Sequence, residues 1–248
     1  MIEFRGVSKS FGDKVILDGV DLTAGSGEIL FVIGTSGAGK SVLIQHVVGL
    51  LRPDAGRVLV DGEDVTDYDE HRFYEVRKKC ALVFQHATLF DSMTCAENVA
   101  LPLRKHFRLK GDEALRRAEE FLALVQMERF GATYPSALGD GLRKRVAVAR
   151  ALTLSPRYIL FDEPTTSLDP VSARRVDALI VDLARRQGAT CVVVSHDLRS
   201  IFSIADRVAM LYKGRVRALG TPQAIRDTTD PIVRQFIEGR NEGPLETT

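Results

Sequence analysis

One segment, Gly34–Ser41, constrains the fold of this chain more than any other. It reads GTSGAGKS and follows the pattern GxxxxGK[ST], between a predicted strand, Glu28–Ile33, and a helix predicted from about Lys40 to Leu50. In this strand–loop–helix context, the glycines let backbone N–H groups curl around nucleotide phosphates at the positive end of the helix. Lys40 would neutralise the phosphates, and the Ser41 hydroxyl would hold Mg²⁺. The predicted phosphate-binding residues are Gly34, Thr35, Ser36, Gly37, Ala38, Gly39, Lys40 and Ser41.

The rest of the pattern predicts an α/β fold around a parallel sheet, with functional residues at the carboxyl ends of strands. Further predicted strands are Val15–Leu17, Arg57–Val60, Tyr158–Phe161 and Thr190–Val194, with turns at Asp18-Gly19, Gly25–Gly27 and Asp54–Gly56. Helical spacing is found over Asp112–Arg129 and Leu142–Leu154, within a segment of about 86–155 that lacks strong strand signals. We therefore expect one domain over 1–240 with a helical insertion at about 86–155, and a loose polar tail over 241–248.

A second site signal is the apolar strand Tyr158–Phe161, which ends in two carboxylates, Asp162 and Glu163. Taken alone, this pattern is also typical of an ordinary exposed strand end. Combined with the phosphate loop, it predicts that Asp162 binds Mg²⁺ and that Glu163 polarises an attacking water.

Composition narrows the remaining classes of protein. The 248 residues carry a net charge of +1, which gives no general electrostatic reason to expect nucleic acid as a partner. The three cysteines are scattered without a CxxC pair, which argues against a disulfide framework or zinc site and fits a reducing cytosol. We see no signal peptide and no apolar stretch long enough to span a bilayer, so another chain would bring this one to a membrane.

The order of the phosphate loop, Gln85, Asp162-Glu163, Asp169 and His196 resembles the nucleotide-binding domain of ABC transporters. The resemblance implies a RecA-like P-loop NTPase core with an antiparallel β subdomain and an inserted α-helical subdomain, which hydrolyses ATP with Mg²⁺. It also implies that Gln85 touches Mg²⁺ and senses a membrane partner, that Asp169 crosses to a second subunit, and that His196 contacts the γ-phosphate.

The same resemblance makes Phe11, just before Gly12-Asp13, the aromatic residue that stacks on adenine. A plain core role for Phe11 is the alternative, because an aromatic side chain in a β-rich segment is often only packing.

One motif departs from the family. Where a Leu-Ser-Gly-Gly-Gln signature is expected, the chain reads Leu138–Leu142, LGDGL, so Gly139 replaces the serine and Asp140 replaces a glycine ahead of Gly141. In the family, this motif completes the ATP site of the opposite subunit. Two like charges about 4 Å apart at an effective dielectric of 20 repel by about 4 kcal/mol, which would oppose dimer closure on ATP. The benign alternatives are that Asp140 caps the helix or that nearby cations offset its charge; the candidates are Arg143, Lys144 and Arg145.

Within the family, four segments resemble the Mla/Mce group of lipid-transport ATPases: Leu82–Thr94, Glu97–Arg104, Arg143–Ala147 and Asp230–Gly239. The resemblance implies a second ATPase subunit, a permease dimer, a small cytoplasmic regulatory protein and a periplasmic Mce lipid-binding protein. A homodimer is the expectation, and a different subunit with an intact signature is the alternative that the sequence leaves open. The resemblance places the chain at the cytoplasmic face of the bacterial inner membrane. Physical reasoning adds a permease-binding groove between Gln85 and the helical insertion. Leu89, Phe90 and Met93 are candidates for its lining, with ordinary core packing as the alternative for each of them.

Three alternatives to a lipid transporter stay open. One is the ATPase of a polar-solute importer of the amino-acid type, which shares part of the stretch after Gln85. The second is a weakly hydrolysing regulatory subunit, which the altered signature favours. The third, a soluble ABC protein of DNA repair or translation, usually carries two cassettes, zinc modules or long coiled coils, and this sequence has none of them.

Overall fold

Two sheets organise the protein. The computed structural model describes residues 1–245. The strands of this part are β1 Ile2–Phe11, β2 Lys14–Ala24, β3 Ile29–Ile33, β4 Ala55–Val60, β5 Glu63–Asp64, β6 Cys80–Val83, β7 Tyr158–Asp162, β8 Thr190–Val194, β9 Arg207–Tyr212 and β10 Arg215–Gly220. The first sheet is antiparallel with the order β2-β1-β4-β5. The second has the order β10-β9-β3-β8-β7-β6 and is parallel except for β10, which confirms the predicted fold.

The helices cover both faces of the parallel sheet or form the insertion. They are α1 Lys40–Val47, α2 Glu70–Lys79, α3 Cys95–Phe107, α4 Gly111–Leu124, α5 Asp140–Leu152, α6 Pro170–Gln187, α7 Leu198–Ile204, α8 Pro222–Arg226 and α9 Pro231–Glu238. Between β6 and β7 the described chain contains only helices and turns, and α3, α4 and α5 pack on one another there. Within residues 1–245, no helix is both long and apolar enough to cross a bilayer.

The continuous apolar strands result from burial on both faces. Side chains alternate along a strand, so Phe31 and Phe161 enter the core shared with α3–α6, whereas Leu30 and Leu160 enter the core shared with the antiparallel sheet. Each such side chain contributes about 1.5–3 kcal/mol on burial. The sheet thus gives a fixed position to the loops that follow the carboxyl ends of its strands.

Three predicted boundaries were wrong. The turn predicted over Asp54–Gly56 is shorter, because Ala55 and Gly56 already belong to β4. The predicted Asp18-Gly19 turn instead lies inside β2. Val20 of β2 pairs with Val7 of β1 and Leu17 pairs with Lys9, so two residues of β2 stand opposite one residue of β1 and form a β-bulge. The helix predicted to reach Arg129 ends at Leu124, since Gln126 adopts φ +59°, a left-handed conformation that a helix cannot continue through.

Leu245, the last described residue, is held by a side chain of α9. Of the tail predicted over 241–248, the Leu245 N–H donates to the Gln235 side-chain oxygen at 2.6 Å. Residues 246–248 lie outside the described residues.

All three cysteines are buried, which predicts unreactive thiols. Burial raises the pKa of the Cys80 and Cys191 thiols to about 12, and it also raises the pKa of Cys95. The reactive species is the thiolate, so a disulfide-exchange reagent at about pH 8 should label none of them in native protein. All three should react after unfolding in urea. Rapid labelling of a native thiol would contradict the packing around it.

Candidate active site

The phosphate loop connects β3 to α1, and its glycines are required by its conformation. Gly34 has φ +146°, and a Cβ there would lie 2.2 Å from the Leu211 carbonyl oxygen. Gly39 has φ +94° and lies against Leu17 in the antiparallel sheet, where a Cβ would approach to 2.7 Å. Only glycine fits both positions. The loop therefore brings backbone N–H groups to the N-terminus of α1, where a helix favours anions.

Lys40, the first residue of α1, turns its side chain back into this loop. Its Nζ donates to the carbonyl oxygens of Gly34 and Thr35 at 2.9 and 2.8 Å, and the residue is 8% exposed. Burial lowers the pKa of Lys40, while the carboxylates of Glu163 and Asp162 act in the opposite direction. A buried ammonium beside free N–H groups makes a strong phosphate-binding site.

Ser41 and Asp162 meet at the edge of the sheet where its parallel strands end. The Ser41 hydroxyl donates to the Asp162 carboxylate at 2.7 Å, and Asp162 is 7% exposed as the last residue of β7. Burial raises the pKa of Asp162, and the hydrogen bond from Ser41 opposes that shift. A positive ion at this point would relieve the cost of burying the carboxylate.

This donor set fits Mg²⁺ bound together with a nucleotide. A hydroxyl and one carboxylate are hard oxygen donors, and Mg²⁺ is commonly held by one or two carboxylates plus substrate phosphates. Over residues 1–245, no three His, Cys, Asp or Glu side chains are grouped closely enough to hold a metal ion by themselves. The remaining ligands would therefore come from the substrate, from water or from a side chain of another type, such as the predicted Gln85.

Glu163 follows Asp162 in a strained turn that presents its carboxylate. Its backbone has φ +49°, an uncommon conformation for a residue with a side chain, and its N–H donates to the Val194 carbonyl at 2.9 Å. The Oε2 atom accepts from the Thr166 hydroxyl at 2.9 Å and lies 2.9 Å from Nδ1 of His196. The His196 side chain is 63% exposed, whereas that of Glu163 is 12% exposed. The carboxylate is thus oriented by two neighbours, as a base that activates a water must be.

The altered signature begins α5. Gly139 is the N-cap without a side-chain cap, and Asp140 is the first helical residue, so the alternative that Asp140 caps the helix was wrong. Asp140 instead forms an ion pair with Arg143, one turn along the helix, and both side chains stay partly exposed. Gly141 packs on Ser172 of α6. The charge of Asp140 is therefore offset by Arg143.

Three other predicted residues are exposed on the surface. Phe11 is 49% exposed at the end of β1, so it is not a core residue. Asp169 caps α6 of its own chain, accepting from the N–H groups of Val171 and Ser172 at 2.9 and 3.0 Å. The hydrogen bonds of Ser172 hold the pKa of Asp169 below its usual value. Gln85 is exposed just beyond β6.

Two pockets flank the helical insertion. One of about 250 Å³ is lined by Gln85, Leu89, Asp140 and Lys144, among others. A larger, mainly apolar groove of about 460 Å³ runs between α2, β6, α3 and α5. Its lining includes Tyr74, Phe84, Pro102, His106, Ala147 and Arg150. The groove was predicted beside Gln85, and Leu89 does line the smaller pocket together with Gln85. Phe90 and Met93 line neither of these two pockets, and Phe90 is 51% exposed, so for these two residues the predicted lining was wrong.

The sequence did not indicate that Thr166 and Lys144 contact the Glu163 turn; it indicated Lys144 only as a candidate to offset the charge of Asp140. Thr166 lies three residues after Glu163, a spacing at which a turn returns a hydroxyl to the carboxylate, so a signal was present. Lys144 approaches from α5, and only the packing of that helix brings it there.

Comparison with known proteins agrees with this geometry. The ABC transporter family profile matches residues 17–166. "Probable ribonucleotide transport ATP-binding protein mkl" of Mycobacterium tuberculosis is 37% identical over 98% of this chain and 68% of its own length. "Intermembrane phospholipid transport system ATP-binding protein MlaF" of Escherichia coli K12 is 38% identical over 99% of this chain and 91% of its own length. The dimeric post-hydrolysis structure of the cassette MJ0796 bound to ADP and Pi has a TM-score of 0.83 and is 33% identical, covering 90% of this chain and 99% of that one.

Proposed function

The chain belongs to the ABC transporter family, as an ATP-binding and ATP-hydrolysing subunit, and we propose that the transport it drives is that of phospholipids between two bacterial membranes. The proposed substrate class rests on one comparison of coverage. The relative named for intermembrane phospholipid transport matches over 99% of this chain and 91% of its own length, whereas the relative named for ribonucleotide transport has about a third of its length unmatched. The two identities, 38% and 37%, do not discriminate by themselves.

The proposed residue roles follow from the geometry of the site. The loop Gly34–Ser41 binds the phosphates, with Lys40 as the buried cation. Ser41 and Asp162 would hold Mg²⁺ together with the substrate, with Gln85 as a further ligand. The bound ion would neutralise the phosphate charge.

Glu163 acts as the base for the attacking water, and His196 contacts the γ-phosphate from its exposed position beside Glu163. Catalysis rests mainly on positioning and charge stabilisation, because phosphoryl transfer needs little else from a protein. The half-exposed Phe11 is available to stack on adenine.

A second copy of the chain completes each site. The cassette related in structure is a dimer, and the signature of this chain, Gly139–Gly141, lies at the start of α5, whereas its phosphate loop precedes α1. We propose that Gly139, Asp140, Gly141 and Asp169 face the ATP held by the opposite subunit. The dimer works with membrane permease subunits, and the apolar groove beside α3 is suited to receive them. The finer assembly we propose adds a small cytoplasmic regulatory protein and a periplasmic Mce protein, with the ATPase at the cytoplasmic face of the inner membrane.

Reconstitution tests this proposal directly. The complex of the chain with its native membrane partners would be placed in donor vesicles containing a fluorescent phospholipid and mixed with acceptor vesicles. We expect lipid transfer that requires ATP and Mg²⁺. Parallel assays would follow uptake of a labelled ribonucleotide and a labelled amino acid. ATP-driven uptake of either solute without lipid transfer would refute the lipid assignment and support the polar-solute alternative.

The Asp140–Arg143 pair yields a prediction about turnover. Arg143→Ala should lower ATP turnover by about fivefold, because an exposed ion pair offsets up to about 1 kcal/mol of charge, and Asp140 would then repel the opposing ATP. In a chain that also carries Asp140→Gly, removing Arg143 should have little effect. Steady-state ATPase assays of the four combinations measure this coupling, with the exposed Arg116→Ala as control. Equal losses in both backgrounds would show that Arg143 does not act through Asp140.

A further inference from the structure

Lys144 is a buried cation that joins the signature helix to the catalytic turn of the same chain. It lies one turn beyond Asp140 on α5 and is 6% exposed. Its Nζ donates to the carbonyl oxygen of Glu163 at 3.1 Å and to that of Thr166 at 2.7 Å. The two carbonyls bracket the turn that follows β7. The side chain thus fixes backbone at both ends of this turn.

The turn needs such support. Both Glu163 and Ser167 adopt left-handed conformations, with φ +49° and +66°. Residues with side chains keep this conformation only where the surrounding structure holds them. Within the turn, the Thr166 N–H donates to the Glu163 carbonyl at 3.3 Å, and the Thr166 hydroxyl holds the Glu163 carboxylate. A movement of the Thr166 backbone would therefore displace the carboxylate.

Burying the ammonium of Lys144 costs free energy unless the charged group forms hydrogen bonds. Burial lowers the pKa of Lys144, while the carboxylates of Asp140 and Glu163 favour the charged form. The ammonium donates to two backbone carbonyls, and such charge-assisted hydrogen bonds are short and directional. An apolar side chain of the same length would fill the space without restraining the turn.

We propose that Lys144 is a positioning residue through which α5 holds the Glu163 turn of its own subunit in the catalytic geometry. The inference rests on the proposed role of Glu163 and on the dimer in which the start of α5 faces the ATP of the opposite subunit. The link joins the two ATP sites of the dimer, because displacement of α5 at one site moves the catalytic turn of the other.

The substitution Lys144→Met tests the positioning role. We expect kcat for ATP hydrolysis to fall by about tenfold to a hundredfold, from the loss of two hydrogen bonds made by a charged group. The KM for ATP should stay within about twofold, because the phosphate loop is untouched. Lys144→Arg, which keeps the charge and the donors, should recover part of kcat. The exposed Lys110→Met is the matched control. A folded Lys144→Met protein with unchanged kcat and only a lower Tm would overturn the proposal.

Mixed dimers decide whether Lys144 acts on its own subunit. Each dimer pairs a Glu163→Gln chain with a chain of intact Glu163, which leaves one working catalytic carboxylate. Lys144→Met placed in the chain with intact Glu163 should slow that site as much as in the uniform dimer. Placed in the Glu163→Gln chain, it should leave turnover at the level of the Glu163→Gln/wild-type dimer. The reverse pattern would show that Lys144 acts through the signature on the opposite ATP. Absence of turnover in wild-type dimers within the native complex would refute the proposed function itself.

Discussion

Glu163→Gln is expected to lower kcat for ATP hydrolysis by about 10²- to 10⁴-fold while ATP binding is retained. The amide has the same shape and still accepts the hydrogen bond from Thr166, so the turn after β7 should keep its geometry. It cannot accept a proton from water, and it lacks the negative charge that faces Nδ1 of His196 at 2.9 Å. Single-turnover assays with radiolabelled ATP measure the chemical step directly. Gel filtration with ATP should show a longer-lived dimer, because the nucleotide that closes it is not consumed.

Glu119→Gln is the matched control, since this exposed residue of α4 undergoes the same chemical change far from β7. It should leave kcat unchanged. Turnover of Glu163→Gln close to that of wild type would show that Glu163 is not the base, and it would also remove the main reason for a positioning role of Lys144. Loss of ATP binding in Glu163→Gln would instead indicate that the substitution distorts the neighbouring Asp162 and Ser41.

The parts of the site that the sequence predicts are those fixed by a single strand. A strand buried on both faces must be apolar throughout, so β3 and β8 stand out as continuous runs. The residue that follows each run necessarily lies at the edge of the sheet. For this reason the phosphate loop, Asp162-Glu163 and His196 are brought together as the sequence indicates.

The parts that the sequence does not predict depend on how elements pack. Asp-Gly serves equally well in a turn and in a bulge, and only pairing with β1 decides that Asp18-Gly19 is a bulge. Arg143 and Lys144 are adjacent cations, yet one turns back to Asp140 and the other reaches Glu163. The rotation of α5 against the turn after β7 separates their roles, and no local pattern in the sequence encodes that rotation.

Lys40→Met is expected to weaken ATP binding by about a hundredfold, because it removes the buried ammonium whose hydrogen bonds lie inside the phosphate loop. Methionine keeps an unbranched stem of similar length, so the packing around α1 should be preserved. The free energy of unfolding should change little. Burial lowers the pKa of Lys40, which means that the folded protein stabilises the ammonium less well than water does. Titration of a fluorescent ATP analogue gives the affinity, and a thermal melt checks the fold.

The lowered pKa of Lys40 adds a dependence on pH that separates its charge from its shape. The ammonium loses its proton at a lower pH than an exposed lysine does, so the ATP affinity of the wild type should fall as the pH rises into the alkaline range. Lys40→Met has no proton to lose, and its weaker binding should stay flat over the same range. Parallel alkaline losses in both proteins would mean that another group titrates. Unchanged affinity at neutral pH in Lys40→Met would mean that the backbone N–H groups of the loop hold the phosphates without help.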